Sequence, residues 1–164
     1  MVKAVNFILS LFVFMRCIEY QTLVKQKLEN RQFKTEGYYI GEKNGVYNLL
    51  AFYKDGVVRY LGSDNTNDQK INEQYILSLK PNVKQKARTG WGTFEITNNT
   101  IKYDMYYPRA DAPVYTRKGI ILNDSTFVIK SVSEEGGKKS IKENVIYHFR
   151  QFSPKPDSTN SFIK

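Results

Sequence analysis

Apolar and polar side chains alternate with a period of two along several stretches of this chain. Phe94 and Ile96 interleave with Thr93, Glu95 and Thr97, and Ile101, Tyr103 and Met105 interleave with Lys102 and Asp104. Near the end, Val145, Tyr147 and Phe149 interleave with Ile146, His148 and Arg150. Successive side chains of a strand point to opposite faces, so this period predicts strands with one face turned to a core. Turn signals separate the stretches: Asn44-Gly45, Asp55-Gly56, Asn98-Asn99, Asn123-Asp124 and Gly136-Gly137. Asn, Asp and Gly tolerate the positive φ of tight hairpin turns. The pattern predicts strands over 37–41, 46–54, 57–61, 91–97, 101–105, 114–122, 126–132 and 145–150.

One segment breaks the period. Across 68–79, Ile71, Tyr75, Ile76 and Leu79 recur at helical spacing, Asn67 or Asp68 can cap the start, and Pro81 follows the end. The expected fold is therefore all-β. An antiparallel meander of about eight strands, with one short helix, closes into a barrel or a flattened barrel or folds into two packed sheets. The strand number favours the up-and-down barrel, which can enclose one small ligand.

The two ends read differently. Residues 4–15 are apolar except for Asn6 and Ser10, and Lys3 precedes them. Twelve residues are too few for a bilayer core that needs about 20 helical residues, but they suit the apolar region of a signal peptide. Residues 1–16 are thus expected to be an export signal, 17–34 a tether or short helix, 35–152 the barrel domain and 153–164 a tail. Cys17 stands just past the apolar run, after Arg16, and a lone cysteine in this place resembles the acylated first residue of a mature bacterial lipoprotein. Phe14-Met15-Arg16 before it lacks the usual small residues, so a free cysteine stays open as the other reading.

Composition narrows the chemistry. The chain of 164 residues holds one Cys and one His, which excludes an internal disulfide and argues against a Cys/His zinc site. The formal net charge is +9, and Lys80, Lys84, Lys86 and Arg88 form a basic stretch that would suit anionic lipid, an acidic polysaccharide or nucleic acid, or simply a solvated linker. Export argues against nucleic acid. His148 alone would have to organise any Ser-His-Asp triad, and nothing marks its partners. Glu95 and Asp104, on one face of adjacent strands, are the carboxylate pair a hydrolase would need, but beside Thr and Lys on a solvated sheet they read as surface charges, and no enzymatic activity is expected. Neither a metal nor a cofactor is expected.

Aromatic residues reach 14%, with 12 Tyr and 10 Phe, and most occupy strand positions. They fill a barrel interior unless some leave a cavity, in which case Tyr hydroxyls beside Arg117 or Arg150 supply polar handles. Tyr103, Tyr115, Arg117 and Tyr147 are the candidate ligand-binding residues.

Cys17, the Tyr-rich first strand, FYKDG at 52–56, WGTFEI at 91–96, GIILNDSTFVI at 119–129 and YHFRQF at 147–152 together resemble small surface lipoproteins of Bacteroidetes-type bacteria. The resemblance implies a lipocalin-like domain, of mostly unassigned function, anchored at the cell envelope through acylated Cys17. It also implies O-glycosylation at the Asp-Ser-Thr triplets 124–126 and 157–159. The function expected from sequence is a membrane-anchored binding protein for a small apolar or amphipathic ligand. The competing reading is an envelope interaction protein with a filled core and no ligand.

Overall fold

A computed structural model describes residues 22–25, 33–79, 88–107, 113–134, 139–161 and 163–164. The segment 1–16, Cys17, the Gly136-Gly137 tip and most of the basic stretch lie outside the described residues. Eight strands run β1 (Gly37–Lys43), β2 (Val46–Phe52), β3 (Val57–Asp64), β4 (Trp91–Thr97), β5 (Thr100–Tyr106), β6 (Val114–Asn123), β7 (Thr126–Glu134) and β8 (Ser140–Gln151). Helix α1 (Gln69–Ser78) joins β3 to β4. Each strand pairs antiparallel with the next, and β1 also pairs with β8, with Tyr39 opposite Phe149. The sheet is a closed meander barrel.

The turns follow the sequence chemistry. Asn44 and Gly45 both take positive φ, 54° and 78°, and pass β1 into β2 in two residues. Asp55-Gly56 acts differently from a two-residue turn: Gly56 N–H donates to the Tyr53 carbonyl and Tyr53 N–H to the Val57 carbonyl, so residues 53–56 form the loop. Only Gly56, at φ 82°, needs the glycine. Asp68 caps α1, its carboxylate accepting from the N–H groups of Lys70 and Ile71.

Two cores lie on opposite sides of the sheet. Inside the barrel pack Phe33, Tyr39, Leu50, Phe52, Val58, Phe94, Ile101, Tyr103, Met105, Phe127, Ile129, Val145 and Tyr147. Outside, α1 and the chain ends cover Tyr38, Ile40, Leu49, Ala51, Tyr53, Val57, Leu61, Trp91, Tyr106 and Val114. Strands β1 to β4 are consequently buried on both faces, and even Thr93, on the face read as solvated, is only 8% exposed. The helix meets the barrel through Asn72 and Ile76, whereas Ile71 and Tyr75 remain about half exposed. Its inner stripe is thus the narrow row 72 and 76, with Leu79 packed beyond it, not the wider set that spacing suggested.

Both chain ends are held to the barrel. Leu23 forms a parallel bridge with Ile163, and both are buried in the outer core. Phe33 enters the barrel end where β2–β3, β4–β5 and β6–β7 turn; its ring stacks on Tyr39 at 5.0 Å and meets Phe52 edge-on at 5.3 Å. The described parts of 17–34 and 153–164 are therefore components of the packed structure. Strand β1 accommodates the interior closely: a Cβ at Gly41 would sit 2.6 Å from the Tyr147 ring. Gly41→Ala must displace that ring and is expected to cost about 1–3 kcal/mol in urea unfolding.

Lys155 fastens the tail across the same end. Its Nζ donates to the carbonyls of Thr35 and, at 3.1 Å, Phe52, and stands 4.3 Å from the centroid of the Tyr53 ring. Desolvation pushes its pKa from 10.5 down to about 8, with Lys54 adding to the shift and Glu36 and Asp55 opposing it. Between those two values the unfolded chain holds a proton that the folded chain has released, so stability rises with pH across that window. Burial raises the pKa of Tyr39, Tyr53, Tyr103 and Tyr147, so the folded chain keeps protons that the unfolded chain loses above about pH 10, and stability then falls. Urea midpoints from pH 7 to 11 should pass through a maximum. Lys155→Met should flatten the rising limb and leave the falling one.

Candidate ligand-binding site

The barrel is filled at one end and hollow at the other. At the filled end Phe52 is the hub, with ring centroids 4.9 Å from Phe94, 5.5 Å from Tyr39, 5.7 Å from Phe127 and 6.0 Å from Tyr103. The opposite end, where β1–β2, β3–β4 and β5–β6 connect, opens on a cavity of about 330 Å³. It is lined by Asn48, Tyr60, Thr89, Gly90, Met105, Tyr106, Tyr107 and Arg117. Asn48 is the inward residue of β2 that continues the row Leu50 and Phe52, and Met105 continues Ile101 and Tyr103 on β5. Gly90 closes one side by accepting from Tyr60 N–H at 2.7 Å and donating to the Tyr106 carbonyl at 2.9 Å.

Among the described residues Arg117 is the one charged residue in that lining. On β6 it lies opposite Tyr103 of β5 and Val132 of β7, and its guanidinium stands 5.7 Å from the Tyr103 ring centroid. Tyr103 and Tyr147 lie in the same interior, on the inward faces of β5 and β8. Burial first, and Glu143 with it, pushes Tyr147 up to about 12, while the Arg117 charge pulls the other way. Tyr103 rises well above the ordinary tyrosine value for the same leading reason. Both hydroxyls stay protonated and available for hydrogen bonding at any physiological pH. Glu143 is taken by an ion pair with Lys43.

Three of the four residues singled out from sequence thus come together: Arg117 at the cavity, with Tyr103 and Tyr147 in the interior beside it. Tyr115 does not line the cavity. Its ring packs against Tyr107, which does, with centroids 4.9 Å apart. Arg150, the other arginine considered, faces outward and donates to the Asn67 side chain at 2.6 Å. Sequence reasoning overlooked Asn48, Thr89, Gly90 and Met105 as lining residues. Asn48 was detectable, because an amide in an otherwise apolar inward row is an anomaly; Thr89 and Gly90 come from a connection without periodicity.

The remaining candidates sit elsewhere. Glu95 and Asp104 lie on the outer wall with Lys102 Nζ between them, at 3.1 and 3.7 Å, and Thr116 Oγ1 donates to Asp104 as well. His148 Nδ1 is 3.5 Å from Thr126 Oγ1, and among the described residues no carboxylate is hydrogen-bonded to it. His148 borders a larger outer depression of about 500 Å³ with Glu42, Asn67 and Arg150. That depression is open to solvent and its arginine is already engaged, so the mouth cavity is the better-formed site. The Asp-Ser-Thr triplets occupy the β6–β7 turn and the tail, where Ser158 Oγ donates to Asp55.

The chain matches no family model, no curated protein and no solved structure. Its site is therefore read from geometry alone. A concave cavity with aromatic and thioether walls and a few convergent polar groups is the usual form of a small-molecule pocket, and its volume is at the small end of the range.

Proposed function

We propose that this chain is an exported, envelope-anchored binding protein that holds a small amphipathic ligand in the mouth of its barrel. The observation that carries the reading is the cavity lined by Tyr60, Met105, Tyr107 and Arg117, above a floor that is packed solid. Apolar walls take up the body of a ligand and the few polar groups orient it. The apolar run before Cys17 and the position of that cysteine support export and a lipid anchor; two or more acyl chains hold a protein on a bilayer stably where one does so only marginally. Native mass spectrometry of protein purified gently from a bacterial host tests the binding. A retained mass consistent with a small amphiphile, lost on filling the cavity with Met105→Trp, is expected. A spectrum of bare chain, unchanged after incubation with extracts of the host envelope, counts against it.

A second reading has an observation of its own. The outer wall of β6 to β8, which α1 and the described parts of the chain ends leave open around Ile120 and Ile146, sets Ile120 opposite Val128 and Val128 opposite Ile146. Exposed Lys118, Lys130 and Lys142 surround this row, and among the described residues no acid shares the wall, since Glu143 turns inward to Lys43 and Glu134 ends its strand. Apolar residues ringed by lysines complement anionic lipid headgroups. Co-sedimentation with phosphatidylglycerol vesicles but not phosphatidylcholine vesicles, abolished by Ile120→Glu/Ile146→Glu, would favour this wall as a membrane-facing surface. Equal pelleting of wild type and variant would exclude it.

A further inference from the structure

Arg117 is partly buried where the barrel interior opens at its mouth. A guanidinium is charged at all working pH values, and charge placed in a protein interior is normally paired. Its neighbours on the adjacent strands are Tyr103 and Val132, neither of which can neutralise it. Of the acids on the inward face of the neighbouring strands, Glu143 is committed to Lys43, and Glu134 lies opposite Tyr115 at the exposed end of β7. Among the described residues Arg117 has neither an ion-pair partner nor a hydrogen-bond acceptor; its one close contact is the face of Tyr103. The other polar side chains of the lining are Asn48, Tyr60, Thr89, Tyr106 and Tyr107, all able to donate, and among the described residues no carboxylate lines it.

We propose that the mouth cavity recognises a compact monocarboxylate, its carboxylate paired with Arg117 and its apolar body laid against Met105, Tyr60 and Tyr107. This rests on the ligand-binding reading above and names the class of ligand. A single cation balances a single negative charge, and the planar fork of a guanidinium matches a carboxylate with two parallel hydrogen bonds. A phosphate monoester would bring a second charge with no partner in the lining. Size sets the other limit. At ~30 Å³ for each water-sized unit of liquid, the cavity of about 330 Å³ has room for roughly ten non-hydrogen atoms. The floor closes below it, because Phe52, Phe94 and Phe127 fill the interior beyond Tyr103. An eight-carbon acid fits; a sixteen-carbon chain has nowhere to place its second half.

The test uses the full chain and three probes of equal length: octanoate, 1-octanol and octylammonium, titrated by calorimetry at pH 7. Octanoate is expected to bind about tenfold or more tightly than 1-octanol, in line with a hydrogen bond to a charged group, and octylammonium not measurably. Lengthening the acid from octanoate to hexadecanoate should bring no further gain. Arg117→Gln should weaken octanoate about tenfold while leaving 1-octanol within twofold, and Arg117→Lys should keep part of the preference. The wild-type probe series stands without any variant, should Arg117→Gln fold poorly. Binding of 1-octanol with no preference for octanoate, or affinity that grows steadily with chain length, would overturn the monocarboxylate inference and leave the binding reading intact. Failure of all three probes to bind would overturn both.

Discussion

Phe52→Ala is expected to destabilise the barrel by about 3–5 kcal/mol, measured by urea unfolding followed by far-ultraviolet circular dichroism. Phe52 is fully buried at the point where β2 leaves the barrel, and five aromatic rings, Phe33, Tyr39, Phe94, Tyr103 and Phe127, approach it. All five contacts are near-perpendicular, the edge-to-face arrangement that ring quadrupoles favour. Truncation removes transfer free energy and leaves a void that the curved wall cannot collapse to fill, since the main-chain ladder on both sides fixes the strand spacing. Ile71→Ala, on the exposed side of α1, supplies the contrast and should change stability by no more than about 0.5 kcal/mol. Similar losses at the two positions would mean that the filled end is not the energetic centre of the fold.

Phe33→Ala should be almost as costly, about 3 kcal/mol or more, although it stands before the first strand. Its ring closes the barrel end by stacking on Tyr39 and reaching Phe52, Phe94 and Phe127. The backbone is held there too, as Lys34 N–H donates to the Asp124 carbonyl and the Tyr39 hydroxyl donates to the Lys34 carbonyl at 3.1 Å. Because Phe33 and Phe52 touch, the double variant should lose less than the two single losses combined. A neutral Phe33→Ala, read by the same urea midpoint, would mean that this residue belongs to a loose tether after all.

Much of the fold was legible because local chemistry and global topology agree. The β4 stretch 91–97, the Asn44-Gly45 turn and the Asp68 cap all take the form their residues favour. Legibility failed where an element borrows stability from its neighbours. The last strand begins at Ser140, five residues before its apolar alternation, because β7 supplies hydrogen-bond partners for Ile141 and Lys142 whatever their side chains. Strand β3 likewise runs on through Gly62 to Asp64 along β2, across a register shift at Leu49/Leu50. Residues 153–164 carry no periodicity at all. Their order comes from single long-range contacts, such as the Tyr53 hydroxyl donating to the Pro156 carbonyl at 2.7 Å, which no local pattern encodes.

The site divides along the same line. Period-two alternation places Tyr103 and Tyr147 in the interior, and pairing with Tyr103 places Arg117 beside them. Whether those side chains fill the barrel or leave space depends on volumes summed across eight strands. The aromatic rings crowd toward the Phe33 end, so the interior is both a packed core and a cavity, at different heights.

Chemical-shift mapping with 1-octanol tests that division most directly. In a ¹H–¹⁵N spectrum of the full chain, titration should move the amides of Asn48, Tyr60, Gly90, Met105 and Arg117 and leave those of Phe52, Phe94 and Phe127 in place. No saturable shifts at the mouth, or shifts confined to the outer wall around Ile146 and His148, would contradict a ligand-binding barrel.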